Sequence, residues 1–388
     1  MPIMPDSAPG EIRRACVSES TPGAVASELV DRLGGSDVAL VVLFASPTLD
    51  RVTLAAEVRA RFGDTPVIGC TTAGEIGPCG LAKGSVSGFS LPASSFRVAC
   101  ERIPDVACFD VSAGGAMVSR LRAELSRHGP FPSAANCFAL LLIDGLTVRE
   151  EAVVGALSNA LVDIQLAGGS AGDGLDFGST AVLADGAFSS SSAVLALIQT
   201  DRPFVPIKIQ HFVPDSEKMV VTGADATRRI VFEINGDPAG QEYARLVGLD
   251  PSKLTAMAFA THPVIVQVGG KPYVRSIQKV NPDGSLTFFC AIDEGIVLTL
   301  GRGEALVDNL ESALSRVTGA IGPPDLVIGF DCILRRLEIE RTGTECAVSR
   351  LFAEHRVVGF STYGEQFNAM HVNQTFTGVA IGAPPCHP

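Results

Sequence analysis

One short phrase of sequence is written three times. Residues 67–75 read Val-Ile-Gly-Cys-Thr-Thr-Ala-Gly-Glu, residues 357–365 read Val-Val-Gly-Phe-Ser-Thr-Tyr-Gly-Glu, and residues 167–173 read Ala-Gly-Gly-Ser-Ala-Gly-Asp. About 30 residues before each lies a short apolar run, at 38–44, 138–144 and 326–329. Unbroken runs of this length suit strands buried on both faces. Between run and loop the spacing is helical, over 51–62, 148–161 and 332–353. Asp50 opens the first of these helices and Gly63 ends it. Further strands follow each loop, at 85–91 and 96–101, at 179–183 and 193–198, and at 375–382. A strand-helix-strand crossover makes its two strands parallel, and an antiparallel tail makes the sheet mixed. The expectation is a mixed α/β protein of two domains, built from repeated strand-helix-strand units with mixed sheets. A flexible N-terminal segment is expected at 1–22, a first domain at 23–234 and a second at 235–388. The cut falls where Asn235-Gly236-Asp237-Pro238 breaks the pattern.

Glycine after a strand lets the chain turn sharply and admits a close neighbour. The hydroxyls of Thr71, Thr72, Ser170, Ser361 and Thr362 can bind polar groups. Tight turns would explain any one copy. Three copies point to a shared ligand cavity lined by the loops, of the kind found between domains.

Composition narrows the function classes. Of 388 residues, 46% are hydrophobic and 19% charged, enough for large cores and too apolar for long disordered stretches. The formal net charge of -12, with no Lys/Arg cluster, argues against nucleic acid as a partner. No apolar run approaches the roughly 20 residues that span a bilayer. The N-terminus lacks a basic segment followed by an apolar one, so a cytosolic protein without membrane contact is expected. None of the ten cysteines is spaced C-x-x-C, which argues against a zinc ribbon or thioredoxin motif. In a reducing compartment most of them would be small buried hydrophobes.

An enzyme is not expected. Cys70 follows a strand and could serve as a nucleophile, yet the equivalent positions are Gly169 and Phe360. No Gly-x-Ser-x-Gly elbow occurs. The glycine-rich loop at 168–174 leads into a strand, so it lacks the helix N-terminus that would hold a phosphate. The chain shows no kinase, cyclase or DNA-binding motif, so any output passes through a partner protein.

The three loop phrases, in this order, resemble those of the FIST family of sensory modules for small ligands, with its FIST N and FIST C regions. The likeness runs from about residue 36 to 383, with Gly236-Asp237-Pro238-Ala239 near the start of the second region. Residues 210–214, Gln-His-Phe-Val-Pro, and residues 370–381 further resemble the haem-binding, nitric-oxide-sensing NosP branch. That resemblance implies non-covalent haem b and nitric oxide or another diatomic gas. It also implies a partner histidine kinase or cyclic-di-GMP enzyme, with a homodimer left open.

A haem needs an axial ligand, an apolar slot and partners for its propionates. His128 and His355 sit at helix ends, His262 in a loop and His387 in the tail. Strand alternation places Ile207, Ile209, His211 and Val213 on one face, which makes His211 either a hydrogen-bonded core residue or the iron ligand. His371, between the third loop and the last strand, is its rival. The expected cofactor site adds Met370, Cys70, Thr71, Gly169, Ser170, Phe360, Ser361 and Tyr363 to these two histidines. Lys208, Arg228 and Arg275 are candidate propionate partners. The alternative is a haem-free FIST sensor of a small metabolite such as an amino acid. Paired hydroxyls would then hold a carboxylate, and Asp173, Glu75 or Glu365 would meet an amino group.

Overall fold

The computed structural model describes residues 10–18 and 20–385. Cys386 and His387 lie outside the described residues. Each repeated phrase sits at the end of the second strand of a unit, and the three units share one plan. Copy one runs through strand Val38–Ala45, helix Arg51–Phe62, strand Val67–Thr71, the hairpin Glu75–Gly77 and Gly80–Ala82, and closing strand Ser85–Pro92. Copy two uses Cys137–Ile143, helix Glu150–Leu161, Gln165–Ser170, the hairpin Val182–Ala184 and Ala187–Ser189, and closing strand Ala193–Thr200. Copy three uses Leu326–Cys332, helices Ile333–Thr342 and Glu345–Glu354, Val357–Thr362, the hairpin Glu365–Phe367 and Met370–Val372, and Thr375–Ile381. In every copy the first two strands are parallel and the closing strand returns antiparallel, so the sheets are mixed as expected.

The local signals act as read. Asp50 caps the first helix by accepting from the Val52 and Thr53 amides at 3.1 and 3.4 Å, and Gly63 ends it at φ 60. The stretch 332–353 differs. It is two helices, because Gly343 takes a left-handed φ of 65 and stops the first. Within the segment expected to be loose, Arg13–Ser18 form a strand paired with Ser85–Pro92.

What the hairpins do is not local. Each leaves its own sheet and joins a neighbour's. The copy-one hairpin pairs with Val357–Thr362 of copy three. The copy-two hairpin pairs with Val67–Thr71 of copy one, and the copy-three hairpin with Gln165–Ser170 of copy two. The exchange closes on itself, giving a pseudo-threefold core. The long apolar runs follow from this. Phe44, Phe138 and Phe330 point inward with their alternate neighbours into one cluster shared by all three copies. Val41, Leu43, Ala139, Leu141 and Val327 point outward, beneath helices. Both faces of each first strand are therefore buried.

Residues 212–303 carry a fourth, eight-stranded sheet with its own core around Val231, Tyr243 and Phe259. It is entered through Phe204–Gln210, which pairs with the copy-three closing strand. Four of the nine described cysteines are buried and Cys79, Cys108 and Cys346 are exposed, so burial is less general than composition suggested. Among the described residues no helix is long and apolar enough to cross a membrane.

Candidate functional site

The three loops meet, and they spend their backbone groups on one another. The Ala73 amide donates to the Ser361 carbonyl at 2.9 Å, and the Ser361 amide to Gly74 at 2.7 Å. Gly172 donates to Thr71 at 3.0 Å, Ser170 to Gly364 at 2.9 Å and Tyr363 to Ser170 at 3.3 Å. The close neighbour that each glycine admits is thus another segment of chain. Much of the expected site is packing. Cys70 is fully buried in the shared core, where burial pushes its thiol well above the ordinary range. Phe360 packs on Phe44 at 4.9 Å and on Phe330 at 5.7 Å, and Gly169 leaves room for both Phe360 and Phe330. Thr71 Oγ1 accepts from the Ala181 amide at 3.1 Å, and Ser170 Oγ from Gln366 Nε2 at 2.9 Å. Tyr363 donates to Asp173 Oδ1. Met370 is half-buried in its hairpin.

Neither histidine presents an open nitrogen to a flat ring. His211 is buried, with Arg335 Nη1 donating to its Nδ1 at 3.0 Å and its Nε2 donating to Glu338 at 2.9 Å. Burial, with Arg335 adding and Glu338 opposing, lowers its pKa. The fit to an axial ligand is therefore poor: iron at either nitrogen would displace an ionic partner inside the protein. His371 accepts from Gln366 Nε2 at 3.3 Å through Nδ1, while its buried Nε2 has no partner. That edge of the ring lies where a Cβ on Gly364 would sit, so the ring packs on backbone. Lys208 lies over the Tyr273 ring at 4.2 Å, and Arg228 is exposed. Among the described residues no group of three or more His, Cys, Asp and Glu side chains could hold a metal ion, a test that does not bear on haem.

The cleft lies beside the loops. A volume of about 300 Å³ opens between the first loop and helix Ile333–Thr342, walled by Pro47, Leu175, Ile333 and Leu337. Its polar groups include Thr72, Glu75, Lys83, Arg336 and Glu340. Among its described lining residues there is no His, Cys, Met or Tyr. A larger groove of about 450 Å³, between Val67, Val98 and Leu183, lies away from the loops. Arg336 is the center of the smaller one. Its side chain is 6% exposed, its Nε donates to Glu340 at 3.0 Å and its Nη2 to the Ala82 carbonyl at 3.4 Å. Its Nη1 is buried without a partner, as is Ser361 Oγ. Both flank one point. The position of a Cβ on Gly74 lies 3.6 Å from Ser361 Oγ, 3.7 Å from Arg336 Nη1 and 3.7 Å from the Ala82 carbonyl oxygen. Gly74, at φ 136, carries no side chain to separate them.

Two equivalent carboxyls behave differently. Glu75 accepts from Ser85 N and Oγ at 3.1 and 2.8 Å and from Thr72 Oγ1, and burial outweighs these donors to raise its pKa. Glu365 likewise accepts from Thr375 N and Oγ1 at 3.1 and 2.6 Å. Thr362 instead donates to the Gly364 carbonyl at 2.6 Å, which leaves Glu365 Oε1 buried without a partner. Burial pushes Glu365 well above the usual carboxylate range. A carboxyl whose folded pKa exceeds its unfolded one stabilises fully below the unfolded value, about 4.3, and loses that stability as pH rises through the folded value. Glu365→Gln is expected to flatten the fall in melting temperature above about pH 4.5. Parallel melting curves against pH for variant and wild type would refute the assignment. At Glu340 the balance is reversed: burial would raise its pKa, but Lys83 and Arg336 together outweigh it and hold the group below the usual range, as a carboxylate.

Fold and cleft define a class: a mixed α/β protein of three interleaved units, with a cleft beside their meeting point. The chain belongs to the FIST family. The FIST N domain model matches residues 39–237 and the FIST C domain model residues 239–368, which assigns a sensory role in signal transduction. No curated protein matches the chain. Among solved structures, cyanuric acid hydrolase from A. caulinodans is similar at 8% identity, covering 96% of this chain and 99% of that one, with a TM-score of 0.36. A likeness that slight bears on no activity.

Arg335, Arg336 and Glu338 were not among the residues singled out from the sequence. A signal existed: Ile333, Arg336, Leu337 and Glu340 are spaced i, i+3, i+4 and i+7, which places an arginine on an apolar helix face.

Proposed function

We propose that this FIST protein is a haem-free sensor of a small carboxylate metabolite such as an amino acid, held in the cleft beside Arg336. One observation carries the reading: two buried donors without partners, Arg336 Nη1 and Ser361 Oγ, lie on the same side of Gly74, at the edge of the cleft. A carboxylate entering the cleft over Gly74 would offer oxygens to these donors, in a charge-assisted bond to Arg336. Pro47, Leu175, Ile333 and Leu337 would cover an apolar side group, and Glu340 would meet an ammonium. The signal passes to a partner protein, a histidine kinase or cyclic-di-GMP enzyme.

The test is a thermal-shift screen with free L-amino acids and short carboxylic acids. A concentration-dependent rise in melting temperature is expected for one chemical group of them. A hydrogen bond to a charged group is worth about 1.5–3 kcal/mol, so Arg336→Gln should weaken the effective compound roughly ten- to hundredfold. No shift from any compound, or an unchanged affinity in the variant, would refute the reading.

The haem-based nitric oxide sensor of the NosP kind keeps one observation, the unpartnered Nε2 of His371. His371 would hold the iron, and the haem would supply the gas-binding centre. Adding haem to the purified protein decides it. A spectrum equal to protein plus free haem is expected. A shifted Soret band that moves again with nitric oxide would install haem in place of the metabolite.

A further inference from the structure

Helix Ile333–Thr342 has two working faces. One lines the cleft with Ile333, Arg336, Leu337 and Glu340. The other carries Arg335 and Glu338, three residues apart and so neighbours on the helix surface. These two grip a single imidazole from both sides: Arg335 Nη1 at 3.0 Å from His211 Nδ1, and Glu338 Oε2 at 2.9 Å from His211 Nε2. Arg335 is itself fixed to Asp331 at 2.6 Å, with both side chains completely buried.

The place of His211 makes this grip informative. Phe204–Gln210 ends one residue before it, bonded to the copy-three closing strand. Phe212–Asp225 begins one residue after it and belongs to the fourth sheet, where Phe212 pairs with Gly303. The His211 carbonyl also accepts from the Glu304 amide at 2.8 Å. His211 is thus the single residue at which the chain passes from the three-copy core into the inserted sheet. The helix touches that insert a second time, since Ile333 and Leu337 share an apolar cluster with Ala260 and Phe289. A packed helix moves as a rigid unit, so a displacement on one face is felt on the other.

We infer that helix Ile333–Thr342 is the transmission element of this sensor: a carboxylate docked on Arg336 repositions it, and Arg335 and Glu338 carry the change through His211 into the fourth sheet. The biological use of the relay rests on the cleft being the ligand site. The coupling itself is a property of the empty protein and is testable without ligand. Coupling between sites is reciprocal and corresponds to roughly 5–150-fold.

The experiment is hydrogen exchange, read by mass spectrometry, on the full chain. Arg336→Gln is expected to speed exchange about fivefold or more across 204–215 and 297–305, segments with which its side chain makes no hydrogen bond or ion pair. His211→Gln is expected to do the same across 72–84, on the cleft. Leu175→Ala perturbs the cleft from the wall that is not this helix, and should leave 204–215 unchanged. If His211→Gln does not fold, Glu338→Gln serves, because its side chain is 14% exposed and keeps an acceptor oxygen. Changes from Arg336→Gln that stay within the cleft, or an equal response to Leu175→Ala, overturn the relay. Amino acids that still raise the melting temperature would in that case leave the ligand reading standing. Coupling without any effective compound would leave the relay and remove the ligand.

Discussion

Gly359→Ala is expected to prevent cooperative folding, at a cost above about 4 kcal/mol, where few single substitutions reach. Gly359 stands opposite Gly329 in the parallel pair of copy three. A Cβ on it would fall inside the Gly329 carbonyl group, which is backbone and cannot turn aside. The strand cannot slide away either, because Gly359 also faces Ile76 of the exchanged hairpin and its carbonyl accepts from Ser87 Oγ at 3.1 Å. Gly69 opposite Leu43 and Gly168 opposite Leu141 hold the same register position in the other copies, with the same obstruction. The comparison is Gly155→Ala, inside helix Glu150–Leu161, where a Cβ meets nothing within 4 Å. That change should stabilise by about 1 kcal/mol through helix propensity. Urea denaturation of both variants checks the pair. A Gly359→Ala protein with a normal midpoint would mean that the repeated glycines have no steric role.

Arg335→Met is the second large effect, with about 3–5 kcal/mol lost. The substitution fills similar space but leaves Asp331 buried and uncompensated beside His211. Burial already raises the Asp331 pKa against the pull of Arg335. Without the guanidinium the carboxyl should take up a proton instead. Its folded pKa then lies further above its unfolded one, so the variant should regain stability as pH falls toward 4 and lose it as pH rises. Replacing both charges, as Asp331→Leu with Arg335→Met, should recover much of the loss, since a buried ion pair is often no better than an apolar pair of equal volume. Thermal melts of the single and double variants across pH make the test. A single variant as stable as wild type at pH 7 would show that the pair is not desolvated.

Short-range features of the chain were legible in advance. The three phrases, the doubly buried strands, the cap at Asp50 and the stop at Gly63 are all written within a few residues of where they act. The mixed α/β class followed from the same signals. His211 was legible as an oddity, a polar ring in an apolar strand context, but its partners were not. Arg335 lies 124 residues away and reaches it only after the insert has folded back. Gly343 is different: its break of the helical stretch at 332–353 is local, a left-handed glycine set between residues that favour helix.

The sequence by itself determined the repeating unit, because periodicity, caps and glycines act through bonds to near neighbours. Only the tertiary structure decided what the repeats are for. Each hairpin pairs with a neighbouring copy, and that exchange brings the three small-residue loops together as a mutually bonded hub. It also moves the cleft to one side, where Arg336 and Ser361 arrive from elements with no shared local pattern. Hydrogen-bond donors are left open only by the way distant chain segments pack, and that packing is a sum over contacts that no single stretch of sequence contains.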